Sequence, residues 1–381
     1  MTATPRPRPL PLLLAALAVA AAGCVPTFDP ASKVESFRLL AVQAEPPQIA
    51  DPAPDPAAAP ARPPGATLLT SLVADERHLT EPGRRSTVLH FACTPEPADP
   101  SQALCTAFAN LRDPMALVAG SLSSQACTGG VPQIPLGQGI VGGISLSGLE
   151  ACDGSGCGAA TIAYDPADPT RTLALPPPVY ILPAELDLDS MAADAPERML
   201  GMNVVVVSLA VDATPEELFS GSDLCQAFAN LSTRLEDLRA ERASVTAVKR
   251  IVIRGPDETD EPNRNPVLAG ITLPSDVFAG QVVDLTPLLP ADPAFQPYTR
   301  REENGAAIEA ASEAWAYSWY ATSGKYEDEH SWSDKEPQVS WTAPGAEGSG
   351  DVPEAGKVRF WVVVRDFRGG IAWASQEAVI Q

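Results

Sequence analysis

Three kinds of side chain in this sequence could do chemistry: seven cysteines, three histidines and 48 acidic residues. Thiols can hold zinc, but a zinc site needs four ligands gathered from closely spaced pairs. The segment Cys152-Asp-Gly-Ser-Gly-Cys157 has no second such pair, and His78, His90 and His330 are scattered along the chain. Zinc is therefore set aside. Gly137-Gln138-Gly139-Ile140-Val141-Gly142 fits the GxGxxG pattern, yet a dinucleotide site needs a buried strand before it and a helix N-terminus after it. Here Pro132 and Pro135 precede the glycines, and Ile144-Ser145-Leu146-Ser147 follows with the alternation of a strand. No GxSxG elbow, HExxH pair or Walker loop is present, and three histidines offer few general bases.

The acids leave two openings. A carboxylate pair could hydrolyse a glycosidic bond, and acids are plentiful here. Clustered hard oxygens could instead bind calcium. Glu185, Asp187 and Asp189 alternate on one strand face, and Asp257-Glu258-Thr259-Asp260-Glu261 stands just before Asn263 and Asn265, near the expected domain junction. Asp187, Asp189, Asp257 and Asp260 are thus the candidate ligands, with a solvated acidic surface as the plainer reading and no loop of EF-hand spacing. Calcium is the one cofactor left open. The acids also set the charge: 26 basic residues give a net −22, which repels phosphate backbones and excludes nucleic acid as a partner.

Residues 1–23 read as a secretory signal, with Arg6 and Arg8 leading, an apolar run from Leu12 to Ala22, and no acid before Asp29. That run is too short to cross a bilayer as a stable helix, which takes about 20 residues. Its end, Ala21-Ala22-Gly23-Cys24, resembles a bacterial lipobox, and the resemblance implies that Cys24 is acylated, becomes the first mature residue and anchors the chain in a lipid bilayer. Val25 after the cysteine implies the outer membrane, facing the periplasm or the cell surface. Export into an oxidising compartment leaves six cysteines, Cys93, Cys105, Cys127, Cys152, Cys157 and Cys225, an even number that makes disulfides the default. Sequence does not choose among the pairings, although the small-residue loop between Cys152 and Cys157 could close on itself.

The elements that must position these groups are mostly strands. Forty prolines in 381 residues interrupt long helices, while 45% hydrophobic residues suffice for buried cores. Residues 24–33 form a tether. Strand patterning begins at Val34, breaks at a Pro/Ala-rich loop (51–65), and resumes at Ala66–Ala74 and Ser86–Cys93. A cysteine-rich insertion (94–158) follows, and then Met202–Val211, whose branched residues on both faces suit a central strand covered on both sides. Thr214-Pro215-Glu216-Glu217 is a capping box with Pro at the first helical position. Leu224, Phe228, Leu231, Leu235 and Leu238 then make one apolar stripe on a second helix. The reading is an N-terminal β-rich domain (34–212), a helical connector (213–244) and a C-terminal β domain (245–381). Leu104–Leu111 and Leu224–Leu231 match at seven of eight positions, which suggests two equivalent cysteine-bearing helical turns.

Trp319-Tyr320-Ala321, Val339-Ser340-Trp341-Thr342-Ala343-Pro344 and the run Trp361 to Gly370, WVVVRDFRGG, resemble the closing half of bacterial immunoglobulin-like and PKD-type sandwich domains. More loosely, the lipobox, the stretch VESFRLLAVQAEPP and Asn263-Arg264-Asn265-Pro266 resemble lipoproteins of myxobacteria and their relatives. The expected fold is mainly β, with two immunoglobulin-like β-sandwich domains joined by a short helical segment. The expected function is a membrane-anchored extracytoplasmic lipoprotein, not an enzyme, that acts as a binding or scaffold module for a protein or glycan. The alternative is a carboxylate-based hydrolase or carbohydrate-active enzyme in the N-terminal domain.

Overall fold

A computed structural model describes residues 31–49, 65–81, 83–96, 127–128, 131–132, 137–163, 167–168, 170–175, 177–186, 188–219, 224–274, 276–291 and 295–381. The fold is mainly β and contains several sheets. Its first unit uses strands β1 (Arg38–Glu45), β2 (Gln48–Ile49), β3 (Ala66–Ala74), β4 (Ser86–Cys93), β5 (Ile144–Asp153), β6 (Gly156–Ala159), β7 (Val179–Ile181), β8 (Met202–Val211) and β9 (Ser244–Ile253). Six of them form one sheet in the order β2-β9-β8-β4-β5-β6, and three form a second in the order β1-β3-β7.

Strand β8 lies inside the larger sheet. Val204 and Val206 point to a core with Ala44, Leu69 and Tyr180 of the smaller sheet, whereas Leu209 and Val211 point to the opposite face. Both faces are covered, and this is why the strand carries branched apolar residues without alternation. The cover on the second face is helical. Helix α1 (Pro215–Leu218) starts at the capping box, where Thr214 Oγ1 accepts from Glu217 N and Glu217 Oε2 accepts from Thr214 N at 2.8 Å. Helix α2 (Leu224–Glu241) then lays Ala227, Leu231, Leu235 and Leu238 on Phe91, Leu146 and Leu149.

Two expected boundaries change. The helices do not connect domains: β9, which follows them, pairs with β8 along its whole length, from Val211↔Ser244 to Met202↔Ile253. The first unit therefore runs to Ile253 rather than ending at 212, and it is two sheets with a helix on the outer face of one. Alternation announced a strand after residue 244 but carries no information about which sheet accepts it. The 94–158 stretch is likewise only partly an insertion, since β5 pairs with β4 from Ser86↔Cys152 to Cys93↔Ile144. The alternation at Ile144-Ser145-Leu146-Ser147 marked this strand but not the partner that accepts it. The glycines of the GxGxxG pattern lead into it through a turn paired with β7, Gly139 N donating to Ile181 O at 2.9 Å. A methyl group on Gly139 would meet Thr94 Oγ1 at 2.8 Å, so close packing explains this glycine.

The second unit contains β10 (Gly270–Thr272), β11 (Asp276–Val277), β12 (Val282–Leu288), β13 (Ala316–Ala321), β14 (Lys325–Tyr326), β15 (His330–Trp332), β16 (Val339–Thr342), β17 (Lys357–Arg365) and β18 (Ile371–Ile380). A sheet ordered β10-β12-β16-β14 faces one ordered β11-β18-β17-β13-β15 across a core of Leu285, Trp319, Trp341, Phe360 and Val362. Trp341 meets Phe360 edge to face at 4.7 Å. Gly324 holds a left-handed φ of 85°, and a Cβ there would lie 2.4 Å from the Trp341 ring. Three buried indole N–H groups find acceptors: Trp319 on Ser331 Oγ at 3.0 Å, Trp341 on Ser323 O at 3.2 Å and Trp315 on Glu313 Oε2 at 3.3 Å.

The two units share an apolar seam. Trp361 and Val363, on the outer face of β17, pack with Ile371 and Trp373 of β18 against Val34, Ala41, Leu72 and Ala74. Residues 32–34, at the end of the expected tether, also hydrogen-bond to Ala321 of the second unit. Among the described residues, no helix is long and apolar enough to cross a membrane.

Candidate functional site

Chain segment 254–269 passes from β9 to β10 across this seam, and it is pinned by side chains of both units. Asn263 N donates to Gln48 Oε1 at 2.8 Å, and Asn263 Nδ2 donates to Asp366 Oδ2 at 2.9 Å. Asn265 Nδ2 donates to Ala44 O and Glu45 Oε2, while Asn265 Oδ1 accepts from Ile371 N at 2.9 Å. Each asparagine thus bridges the first unit to the β17–β18 turn. Asn265 bridges with one amide that both donates and accepts, and Asn263 with its backbone N–H and its amide N–H.

Asp366 organises that turn. Its Oδ1 accepts from Arg368 N at 2.7 Å and from Gly370 N at 2.8 Å. Burial pushes its carboxyl above the ordinary value, against the hydrogen bonds from Asn263, Arg368 and Gly370. The turn holds Phe367 at a φ of 62°, a conformation that costs a non-glycine residue about 1–2 kcal/mol. Phe367 is 67% exposed, and its ring stacks on Trp332 with ring centroids 5.8 Å apart and planes 15° from parallel.

Between this turn and β9 lies a cleft of about 450 Å³, lined by Lys249, Arg250, Arg365, Phe367 and Arg368 among others. Arg368 is ion-paired with Glu313 at 2.8 Å and stands over the Tyr298 ring. Among the described residues Arg365 reaches neutral acceptors, Ser318 Oγ at 3.2 Å and Leu40 O at 3.4 Å. Lys249 is 5% exposed and donates to Gly369 O. Desolvation depresses its ammonium to about 8, with Asp366 opposing and Arg365 adding to the effect.

Lys249 makes stability pH-dependent. Its folded pKa is below the unfolded value of 10.5, so between pH 8 and 10.5 the unfolded chain binds more protons and stability rises with pH. The expected gain is about 2–3 kcal/mol, followed by a loss as the buried phenols of Tyr180, Tyr317 and Tyr326, whose pKa values are raised by burial, ionise on unfolding. Urea denaturation from pH 7.5 to 10 checks this: Lys249→Met should flatten the rise, and equal slopes in both proteins would refute the assignment.

Two of the acids proposed for calcium, Asp257 and Asp260, are held by donors of the protein itself. Asp257 makes a two-point pair with Arg198 at 2.7 and 2.9 Å, whose hydrogen bond holds its carboxyl below the ordinary value. Asp260 accepts from Thr299 N and Oγ1 at 2.8 and 2.9 Å. Burial acts to raise the Asp260 carboxyl, but these bonds keep it lowered. Asp189 accepts from Arg198 through its backbone carbonyl at 3.3 Å, and Asp187 lies outside the described residues. No cluster of three or more His, Cys, Asp or Glu side chains occurs among the described residues. Of the cysteines, Cys152 and Cys157 are joined across the β5–β6 hairpin and Cys93 is disulfide-bonded. Cys24, Cys105 and the echo segment 104–111 lie outside the described residues, as do the side chains of Cys127 and Cys225.

One grouping was not found by sequence reasoning. His90 Nδ1 lies 2.8 Å from Ser208 Oγ, and His90 Nε2 lies 3.1 Å from Glu150 Oε2. Serine, histidine and glutamate in a chain have the composition of a hydrolytic triad. All three are 0–1% exposed and sit between the two sheets of the first unit, so a substrate would have to part those sheets. The arrangement satisfies buried polar groups. The available signal was Ser208 itself, a polar residue inside an apolar run that must find a partner.

No protein-family model matches the sequence, and no curated protein sequence matches it. Solved structures give faint likenesses. A nucleoside hydrolase-related hypothetical protein from Saccharophagus degradans is 11% identical over 42% of this chain and 33% of its own, with a TM-score of 0.18. Native E. coli alpha-2-macroglobulin is 7% identical over 91% of this chain and 17% of its own, with a TM-score of 0.19. Cadherin domains 3–6 of protocadherin gamma B2 are 14% identical over 65% and 47%, with a TM-score of 0.15. The chain spans about a third of the first of these, and none carries an argument about fold or function.

Proposed function

We propose that this chain is an extracytoplasmic lipoprotein, anchored in the outer membrane through acylated Cys24, that works as a noncatalytic binding or scaffold module for a protein or glycan. In this reading both units are immunoglobulin-like sandwich domains, the first carrying helix α2 as an added layer. The observation that carries it is the junction: an apolar seam and two bridging asparagines join the units into a body that presents a cleft at their boundary. A disulfide between Cys152 and Cys157 fits an oxidising compartment. Two or three acyl chains at Cys24 would anchor the module stably, each buried methylene contributing about 0.8 kcal/mol.

Cys24→Ser tests the anchor. The substituted chain is expected to move from the membrane fraction to the soluble fraction and to lose the mass of the acyl groups. Unchanged sedimentation, together with an unacylated wild-type chain, would refute the reading.

A further inference from the structure

The junction cleft has a charge imbalance that the fold does not correct. In a chain of net charge −22, four cations line one cavity. Two buried acids act on these cations: Glu313 holds Arg368, and Asp366, which receives hydrogen bonds from Asn263, Arg368 and Gly370, also attracts Lys249. Arg250 is exposed and makes no ion pair among the described residues, and neither Lys249 nor Arg365 has a carboxylate in salt-bridge contact there. Like charges gathered in a partly desolvated cavity repel one another, and a bound anion removes that cost. Beside the cations stands an exposed phenyl ring held at a positive φ, and Val248, itself 52% exposed, lines the same cavity. Strained residues that the surroundings hold in place gather at binding sites.

We propose that this cleft binds a small organic anion, a carboxylate or phosphate monoester of about monosaccharide size with an apolar face next to its charge. The volume of about 450 Å³ falls in the range of small-molecule sites, roughly 300–1,000 Å³. Guanidinium groups hold carboxylate and phosphate oxygens through paired N–H donors, and Phe367 supplies the surface for the apolar face. A polyanion is disfavoured because the rest of the molecule repels it. The inference deepens the binding-module reading by naming a ligand class.

Isothermal titration of the full chain with glucuronate, glucose 6-phosphate and glucose tests it. One or both anions should bind saturably, and glucose should bind about tenfold more weakly or worse. Binding of glucuronate alone assigns carboxylates, and binding of glucose 6-phosphate alone assigns phosphate esters. Arg250→Glu, at an exposed position whose change should leave the melting curve unaltered, should weaken anion binding about tenfold or more, and Phe367→Ala should weaken it several-fold. Failure of both anions to bind at millimolar concentration, or equal affinity in Arg250→Glu, overturns the site. Saturable binding with chemical conversion of the anion would keep the cleft and overturn the noncatalytic reading; loss of membrane anchoring alone would leave the cleft untouched.

Discussion

Asp366→Ala is expected to destabilise the protein by about 3–5 kcal/mol, because it strips the acceptor from three donors at once, each left unpaired at about 1–3 kcal/mol. Two of them, Arg368 N and Gly370 N, fix the β17–β18 turn, and the third, Asn263 Nδ2, ties segment 254–269 to it. Asp366→Asn should cost far less. Its amide oxygen can still accept from both backbone N–H groups, and Asn263 can turn its own buried, unpartnered Oδ1 toward the new amide. Gly370→Ala should resemble the alanine variant at position 366, since a Cβ at Gly370 would lie 2.1 Å from Asp366 Oδ2 and 2.9 Å from Arg264 O. Urea denaturation gives the ranking, and limited proteolysis of segment 254–269 shows whether the junction opens first. Equal losses in Asp366→Ala and Asp366→Asn would mean that the carboxylate does not organise the turn.

Glu150→Ala is expected to cost about 1–3 kcal/mol in a fully buried site, because His90 Nε2 is left facing Ser71 Oγ at 3.5 Å while Ser208 Oγ keeps its contact with Nδ1. Glu150→Gln keeps an acceptor for the imidazole N–H and should cost about 1 kcal/mol. The decisive comparison is a double replacement, His90→Phe with Glu150→Leu, which removes both polar partners and should recover much of the single-variant loss. Ser208 Oγ loses its contact with His90 in that variant, so recovery stays incomplete. If the double variant is as unstable as the sum of its singles, the two residues do not act as a coupled buried pair.

The residues that bring the units together were visible in part. Asn263, Asn265 and the Asp-x-x-Gly-Gly run stand out in the sequence, and their types already suggest turns and amide bridges. Nothing in their order along the chain shows that Asn263 and Asp366, 103 positions apart, meet. The acids at 257–261 drew attention as oxygen ligands. Their partners, Arg198 and Thr299, come from distant segments, and only folding shows that they are committed to ion pairing and to capping backbone N–H groups.

Local signals determined the local structure. Thr214-Pro215-Glu216-Glu217 starts a helix, the leucine spacing places one face of α2 on apolar neighbours, and the branched run at 202–211 is an inner strand, because capping and periodicity act within a few residues. Sheet membership was decided by the tertiary structure alone. Strand β9 follows the helices and reads like the first strand of a new domain, yet ten backbone pairs with β8 assign it to the first. Backbone hydrogen bonds are the same whichever strand supplies them, so a sequence can specify that a segment is extended without specifying its partner. The cleft follows from that assignment: placing β9 in the first sheet sets Lys249 and Arg250 opposite Arg365, across a boundary that the linear order does not contain.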